Sequence, residues 1–228
     1  MKILCLLAMR GGSKGVKNKN IINLNNKPLF LYTLEQAKRS KLFTHIVVSS
    51  DSNQILKKIS KYDVDLLVKR NKNLALDNSP KINVIKDALT KSEKYFKITY
   101  DYIFDLDVTS PLRKIIDIKK AFKKIKYSTN ALNLVSVCKA DKNPYFNMIE
   151  KNKGKIYISK KLGKNIYSRQ KAPQVYEKNS SIYIWKRKAL LSKIKLINNR
   201  TIVYIMPRSR SMDIDDSFDL KLVRFLIK

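Results

Sequence analysis

Ile3-Leu4-Cys5-Leu6-Leu7-Ala8, running into Met9-Arg10-Gly11-Gly12-Ser13-Lys14-Gly15, is the stretch that decides the fold. Residues 3–8 are an unbroken apolar run bounded by a turn signal, which reads as a buried strand. The turn that follows spends three of the five glycines of the chain between positions 11 and 15. A chain this poor in glycine places it where the backbone must turn tightly or approach something closely. Arg10, Lys14, the Ser13 hydroxyl and several unshielded backbone N–H groups are the parts of an anion cradle, and Lys17 and Lys19 lie just beyond it. Two familiar phosphate loops are excluded by spelling. Lys14 precedes its glycine and no Ser or Thr follows, so this is not a Walker loop. Gly11-Gly12-Ser13-Lys14-Gly15 also fails the Gly-x-Gly-x-x-Gly dinucleotide fingerprint, and residues 16–26 are too polar to open its helix. A surface turn that is basic only because the chain is basic would leave the glycine clustering unexplained.

Outward from that loop, strand and helix patterns alternate. Pro28 opens a helix over 29–40, where proline at the first turn costs nothing. A strand is expected at 45–49, a helix at 51–62 and a strand at 64–68. Ser79-Pro80 reads as a cap plus first-turn proline for a helix ending near Phe96. Strands at 102–106 and 131–137 flank a helix at 115–125. This spacing predicts an α/β fold with a doubly wound, mostly parallel sheet. The rhythm breaks over 140–178, which carries Pro144, Gly154, Gly163 and Pro173 among short aromatic runs, and reads as a β-rich dimerisation arm inserted in a single domain spanning 1–228. Strands at 179–185 and 201–206 follow, with helices at 186–194 and 215–227.

Forty-nine Lys and Arg against 18 Asp and Glu give a net charge of +31. That excess prompts a search for nucleic acid, but it is mostly lysine spread over predicted helix faces and rises together with Asn and Ile. The interleaving of bases and aromatics that makes a stacking platform is missing. Solvated faces are the expected reading, with no nucleic-acid partner; a basic nucleic-acid-binding protein is the alternative from a different class. Cys5 and Cys138 sit in apolar runs and read as inert core thiols of a reducing compartment. No apolar stretch approaches the ~20 residues of a membrane span, so a cytoplasmic protein without a membrane partner is expected.

A second chemical cluster is Met212-Asp213-Ile214-Asp215-Asp216. Alternation in an extended segment sends Asp213 and Asp215 to one side. Two carboxylates beside a phosphate cradle suit Mg²⁺, which takes a couple of carboxylates plus phosphate oxygens; capping of the last helix by Asp215 and Asp216 is the competing reading. Asp105-Leu106-Asp107 ends the strand at 102–106, and since ligands bind at the carboxyl ends of strands in open α/β sheets, Asp107 is the expected functional member.

In order along nearly the whole chain, these residues resemble the cytidylyltransferases that activate nonulosonic and related sugar acids, the CMP-sialic acid synthetase family. The resemblance is carried by residues 8–15 with Lys19-Asn20, by Asn26-Lys27-Pro28-Leu29, Ser49-Ser50-Asp51 and Lys69-Arg70, and by Leu74-Ala75-Leu76-Asp77. It continues through Thr109-Ser110-Pro111-Leu112-Arg113, Asn143-Pro144-Tyr145, Arg169-Gln170, Pro173, Tyr176 and Ile182-Tyr183-Ile184, and closes on Asp213-Ile214-Asp215 with Asp219. It implies a Rossmann-like, nucleotide-sugar-transferase-like fold. It also implies transfer of CMP from CTP to the anomeric hydroxyl of a nonulosonic acid, with Mg²⁺ as cofactor and release of pyrophosphate, in a homodimer. The activity class implied is that of an N-acylneuraminate cytidylyltransferase, the sugar lying between N-acetylneuraminate and a legionaminate-type acid; the deoxyoctulosonate-activating relatives spell the loop and metal segments differently. Arg10 and Lys14 would neutralise the leaving pyrophosphate, with Gly11, Gly12, Ser13 and Gly15 as backbone donors. Lys19, Asn20, Arg70 and Ser79 would hold the nucleotide, and Asp213 and Asp215 the metal. Arg169, from across the dimer, with Tyr176 and Asp107 would meet the sugar acid. Three departures stand out: Met9 replaces alanine, Ser180 replaces glycine, and Asp107 replaces glutamine. A sugar-reading role is expected for Asp107 ahead of a metal role.

Overall fold

A computed structural model describes residues 1–13, 15–76, 78–163, 166–193 and 195–227. In chain order the elements are β1 (Ile3–Ala8), β2 (Asn23–Leu24), β3 (Lys27–Pro28), α1 (Leu29–Ser40), β4 (His45–Ser50), α2 (Asn53–Ile59), β5 (Leu66–Lys69), α3 (Lys81–Phe96) and β6 (Tyr102–Leu106). After them come α4 (Ile115–Lys126), β7 (Asn133–Lys139), β8 (Ile149–Asn152), β9 (Lys155–Ile158), β10 (Tyr176–Lys186), α5 (Arg187–Leu191), β11 (Thr201–Ile205) and α6 (Ser217–Leu226).

Seven strands form one sheet in the order β11-β7-β10-β6-β1-β4-β5. β1 pairs in parallel with both β4 and β6, β4 with β5 and β7 with β11, whereas β10 runs antiparallel between β6 and β7. The two-residue period of β1 divides the core. Ile3, Cys5 and Leu7 face Phe30 and Leu34 of α1, Ile59 of α2 and Ile118 and Phe122 of α4. Leu4 and Leu6 face Ile85, Ala88 and Leu89 of α3 and Leu190 of α5. Helices therefore cover both faces, as the all-apolar spelling of residues 3–8 requires. Met9 is fully buried and belongs to the first of these clusters.

Local boundaries shift for identifiable reasons. α2 begins at Asn53 because the Ser52 hydroxyl accepts from Ile55 N–H at 3.3 Å and caps the helix. Ser79 is no cap; its hydroxyl donates to the Asn73 carbonyl, and Pro80 stands at the cap position of α3. Pro28 likewise caps α1 and does not open its first turn. Capping of α6 falls to Asp216, whose carboxylate accepts from the N–H groups of Phe218 and Asp219; Asp215 is outside the helix. Residues 140–178 hold an isolated hairpin, β8 against β9, turning at Lys153 and Gly154 with φ of 47° and 79°. β10 starts three residues earlier than expected, at Tyr176, and shifts register between Lys178 and Tyr183. Ser180 sits in that irregularity at φ 51°, in the left-handed region that favours glycine.

Candidate active site

The carboxyl ends of β1, β4 and β6 lie side by side, and the loop after β1 folds over them. Two of its glycines are there for room. A Cβ on Gly11 would meet Ser52 Cβ at 2.9 Å, and one on Gly15 would fall 2.0 Å from the backbone oxygen of Asp215. Nothing approaches Gly12 within 4 Å. The loop is thereby pressed against the acidic segment 213–216, although some 200 residues of chain separate them. Asn20 ties its start, donating from Nδ2 to the Arg10 carbonyl at 2.8 Å.

Beneath the loop is a cavity of about 510 Å³. Of the expected residues, Arg10, Ser13, Gly15, Lys19, Asn20, Arg70 and Ser79 line it, together with Asp107, Asp213 and Asp215. Gly11 and Gly12 fall outside that lining, and Lys14 lies outside the described residues. The cradle has fewer open donors than its glycines suggest. Gly11 N–H donates to Asp51 Oδ1 at 3.0 Å and Ser13 N–H to the Gly11 carbonyl at 3.1 Å. Arg70 is buried, its Nε and Nη2 donating to the Ser49 hydroxyl and carbonyl at 3.2 and 2.9 Å. Burial draws its pKa down, although the charges of Asp51 and Asp105 oppose that shift.

The two aspartates of the 213–215 segment reach the cavity unequally. Asp213 is half-buried and its Oδ1 is shielded from solvent without a hydrogen-bond partner among the described residues. Its pKa is pushed up to about 6, first by burial and next by the negative charge of Asp107. Asp215 has an exposed carboxylate, 3.1 Å from the Lys19 ammonium, which also donates to the Ile214 carbonyl. Ile214 N–H in turn donates to the Thr109 carbonyl at 2.9 Å, fastening the segment to the end of β6.

A lysine that the sequence reading passed over completes the acidic side. Lys81, the first residue of α3, places its ammonium 2.8 Å from Asp105 Oδ2 and 2.9 Å from Asp107 Oδ2, and over the Tyr183 ring at 4.8 Å. Burial raises the pKa of Asp105, with Lys81 opposing. For Asp107, Lys81 and the Thr109 hydrogen bonds outweigh burial and hold the pKa below the ordinary carboxylate range. A cation at the first position of a helix works against the macrodipole, and that local anomaly is the signal that could have marked Lys81.

Arg169 is not brought to this cavity within the chain. It lines another, of about 630 Å³, with Lys139, Asp141 and Arg208, where Asp141 and Arg208 are already paired at 2.8 Å. Tyr176 is exposed at the start of β10 and lines neither. Cys5 and Cys138 are buried free thiols whose pKa values burial raises. No group of three or more His, Cys, Asp or Glu side chains among the described residues forms a ready metal cage, and no helix among them is long and apolar enough to cross a membrane.

With this geometry in place, comparison with known proteins gives a consistent picture. A family model described as cytidylyltransferase matches residues 4–219. Post-translational flagellin modification protein B of Campylobacter coli is 46% identical over 227 residues, covering 100% of this chain and 95% of that protein. CMP-N,N'-diacetyllegionaminic acid synthase of Campylobacter jejuni subsp. jejuni serotype O:2 is 43% identical over 226 residues, covering 99% and 95%. Among solved structures, CMP:2-keto-3-deoxy-manno-octonic acid synthetase complexed with CTP superposes with a TM-score of 0.69 at 15% identity, covering 100% of this chain and 98% of that one, a likeness of fold. The chain belongs to the cytidylyltransferase family.

Proposed function

We propose that this cytidylyltransferase transfers CMP from CTP to the anomeric hydroxyl of a nonulosonic acid of the legionaminate type. The observation that carries the reading is one cavity in which the glycine loop with Arg10, the buried Arg70 and the under-satisfied carboxyl of Asp213 meet. The similarity to the legionaminic acid synthase over the full chain supports the sugar class, with N-acetylneuraminate as the second candidate.

In the reaction the anomeric oxygen bonds to the α-phosphorus while the bond from that phosphorus to the bridging oxygen of pyrophosphate breaks, and negative charge accumulates on the leaving group. Arg10 and Lys14 are assigned to that charge, since preorganised cations aimed at developing charge are worth ~10²-fold or more each in such sites. Arg70 and Ser79 lie toward the α3 side, where the nucleoside would rest. Asn20 acts on the loop, and Lys19 positions Asp215.

The residues fit a divalent cation. Asp213 Oδ1 is a buried oxygen with no hydrogen-bond partner among the described residues, the charge of Asp107 bears on its carboxyl, and Asp215 lines the same cavity with an exposed carboxylate. Hard oxygen ligands of this number, with phosphate completing the shell, are what Mg²⁺ takes. Bound there it would neutralise phosphate charge and orient the α-phosphate. A homodimer that carries Arg169 of one chain to the sugar site of the other accounts for the separation of Arg169 from this cavity.

Release of pyrophosphate from CTP, measured with N-acetylneuraminate, a legionaminate-type acid and deoxyoctulosonate in turn, tests the assignment. The legionaminate-type acid is expected to give the highest kcat/KM. Turnover confined to deoxyoctulosonate, or none with any acid, would refute it.

A further inference from the structure

Asp105 is wholly buried, neither of its oxygens receives a well-aligned hydrogen bond among the described residues, and the phosphoryl transfer described above gives it nothing to do. Its compensation is the Lys81 ammonium at 2.8 Å, which stands equally near Asp107 at 2.9 Å. A buried carboxylate stripped of its counter-ion is strongly unfavourable, so Lys81 cannot leave Asp105. It can leave Asp107, whose other oxygen is held by the Thr109 hydroxyl at 2.8 Å and backbone N–H at 3.3 Å. Lys81 therefore has one fixed contact and one exchangeable contact, and the exchangeable one faces the cavity.

Resting on the cytidylyltransfer reading, we propose that Lys81 is a built-in competitor of the divalent cation. In the nucleotide-free protein its ammonium occupies Asp107 and keeps the metal site closed; when CTP arrives with the metal, Lys81 retreats to Asp105 and donates its released N–H to the bound anion. The arrangement couples metal and nucleotide. A metal ion alone must displace an ion pair to bind, whereas a metal–nucleotide complex brings an anion that takes over the lysine. Asp105 is the parking place that makes the exchange possible, which explains a charge buried where an apolar side chain would cost the core nothing. The family resemblance places glutamine at position 107, and a neutral amide would need no such guard; Lys81 and Asp107 are a matched pair in this chain.

The test is direct Mn²⁺ binding, read by equilibrium dialysis as the excess Mn²⁺ on the protein side, with and without a non-hydrolysable CTP analogue present on both sides. The proteins compared are the unaltered chain, Lys81→Met and Lys81→Met/Asp105→Asn. The double variant removes the buried charge along with its partner, so it keeps the fold if the single variant does not. Without nucleotide, the variants are expected to bind Mn²⁺ roughly tenfold or more tightly than the unaltered chain, in the range by which partners of metal ligands tune affinity. The enhancement of Mn²⁺ binding by the analogue should shrink correspondingly. Adding Asp107→Asn to the double variant should abolish the gain. Folded variants that bind Mn²⁺ no better than the unaltered chain, while that chain still takes up Mn²⁺ with the analogue, would overturn the competitor role and leave the cytidylyltransfer reading intact. An unaltered chain that takes up no Mn²⁺ even with the analogue would overturn that reading, and this inference with it.

Discussion

Asp213 carries a carboxyl whose Oδ1 is shielded and has no hydrogen-bond partner among the described residues. Its pKa of about 6, against an ordinary 3.8, arises mainly from burial and then from the charge of Asp107. A carboxyl whose folded pKa is raised contributes most to stability below its unfolded value, and that contribution is lost as pH rises through about 6. Metal-free Asp213→Asn should therefore melt above the unaltered chain at pH 7.5, by a few degrees at ~2–4 °C per kcal/mol for a chain of this size. The difference should close as pH falls from about 6 toward 4, and calorimetric melts at three pH values check it. Ser180 makes the opposite point. At φ 51° a serine carries strain of ~1–2 kcal/mol that glycine avoids, but glycine adds unfolded-state entropy of similar size. Ser180→Gly should be neutral within ~0.5 kcal/mol and Ser180→Val destabilising by ~1–2 kcal/mol, read from urea midpoints.

Between the loop at 10–15 and the segment at 213–216 the contact is backbone against backbone, and the glycines sort accordingly. Gly15→Ala would drive a Cβ into the Asp215 carbonyl, whereas Gly12→Ala meets nothing. The first should cost ~10²-fold or more in turnover, by the sensitivity of catalysis to displacements of about an ångström; the second should stay folded at an unchanged melting temperature. Paired turnover and melting measurements distinguish them. What was legible in the sequence follows the same division. β1, α1 and β6 fall where periodicity placed them, because residues 3–8 are apolar throughout and the α1 stripe is regular. Asp107 was legible from its place at a strand end and Asp213 from its spacing with Asp215, whereas Arg70, which lines the same cavity, entered only through the family resemblance. The insertion of β10 between β6 and β7 was not, because alternation reports a strand's faces and never its neighbours. Lys81 was hidden among many lysines, marked only by its unfavourable place at the start of α3, and its partners, Asp105 and Asp107, show in the structure alone. The early end of the cap at Asp216 left Asp215 unassigned to the helix, which sequence alone could not separate from capping.

At the scale of the whole molecule, Arg10, Arg70 and Asp213 line one cavity and Arg169 lines another. The β8–β9 hairpin leaves Ile149 and Ile156 each 64% exposed. If Arg169 serves the neighbouring site, mixing two inactive variants, Arg169→Ala and Asp213→Asn, should restore up to about one quarter of normal turnover, because half the mixed assemblies are heterodimers with one intact site each. No restoration on mixing and re-assembly would place Arg169 outside the sugar site. The account stands above all on the claim that phosphoryl transfer occurs in the cavity around Asp213. The most direct measurement is the initial rate of pyrophosphate release by Asp213→Asn, compared with the unaltered chain at saturating CTP, sugar acid and Mg²⁺. A kcat lower by ~10²-fold or more in a folded protein is the predicted result, and a kcat within twofold or so of normal would contradict the account.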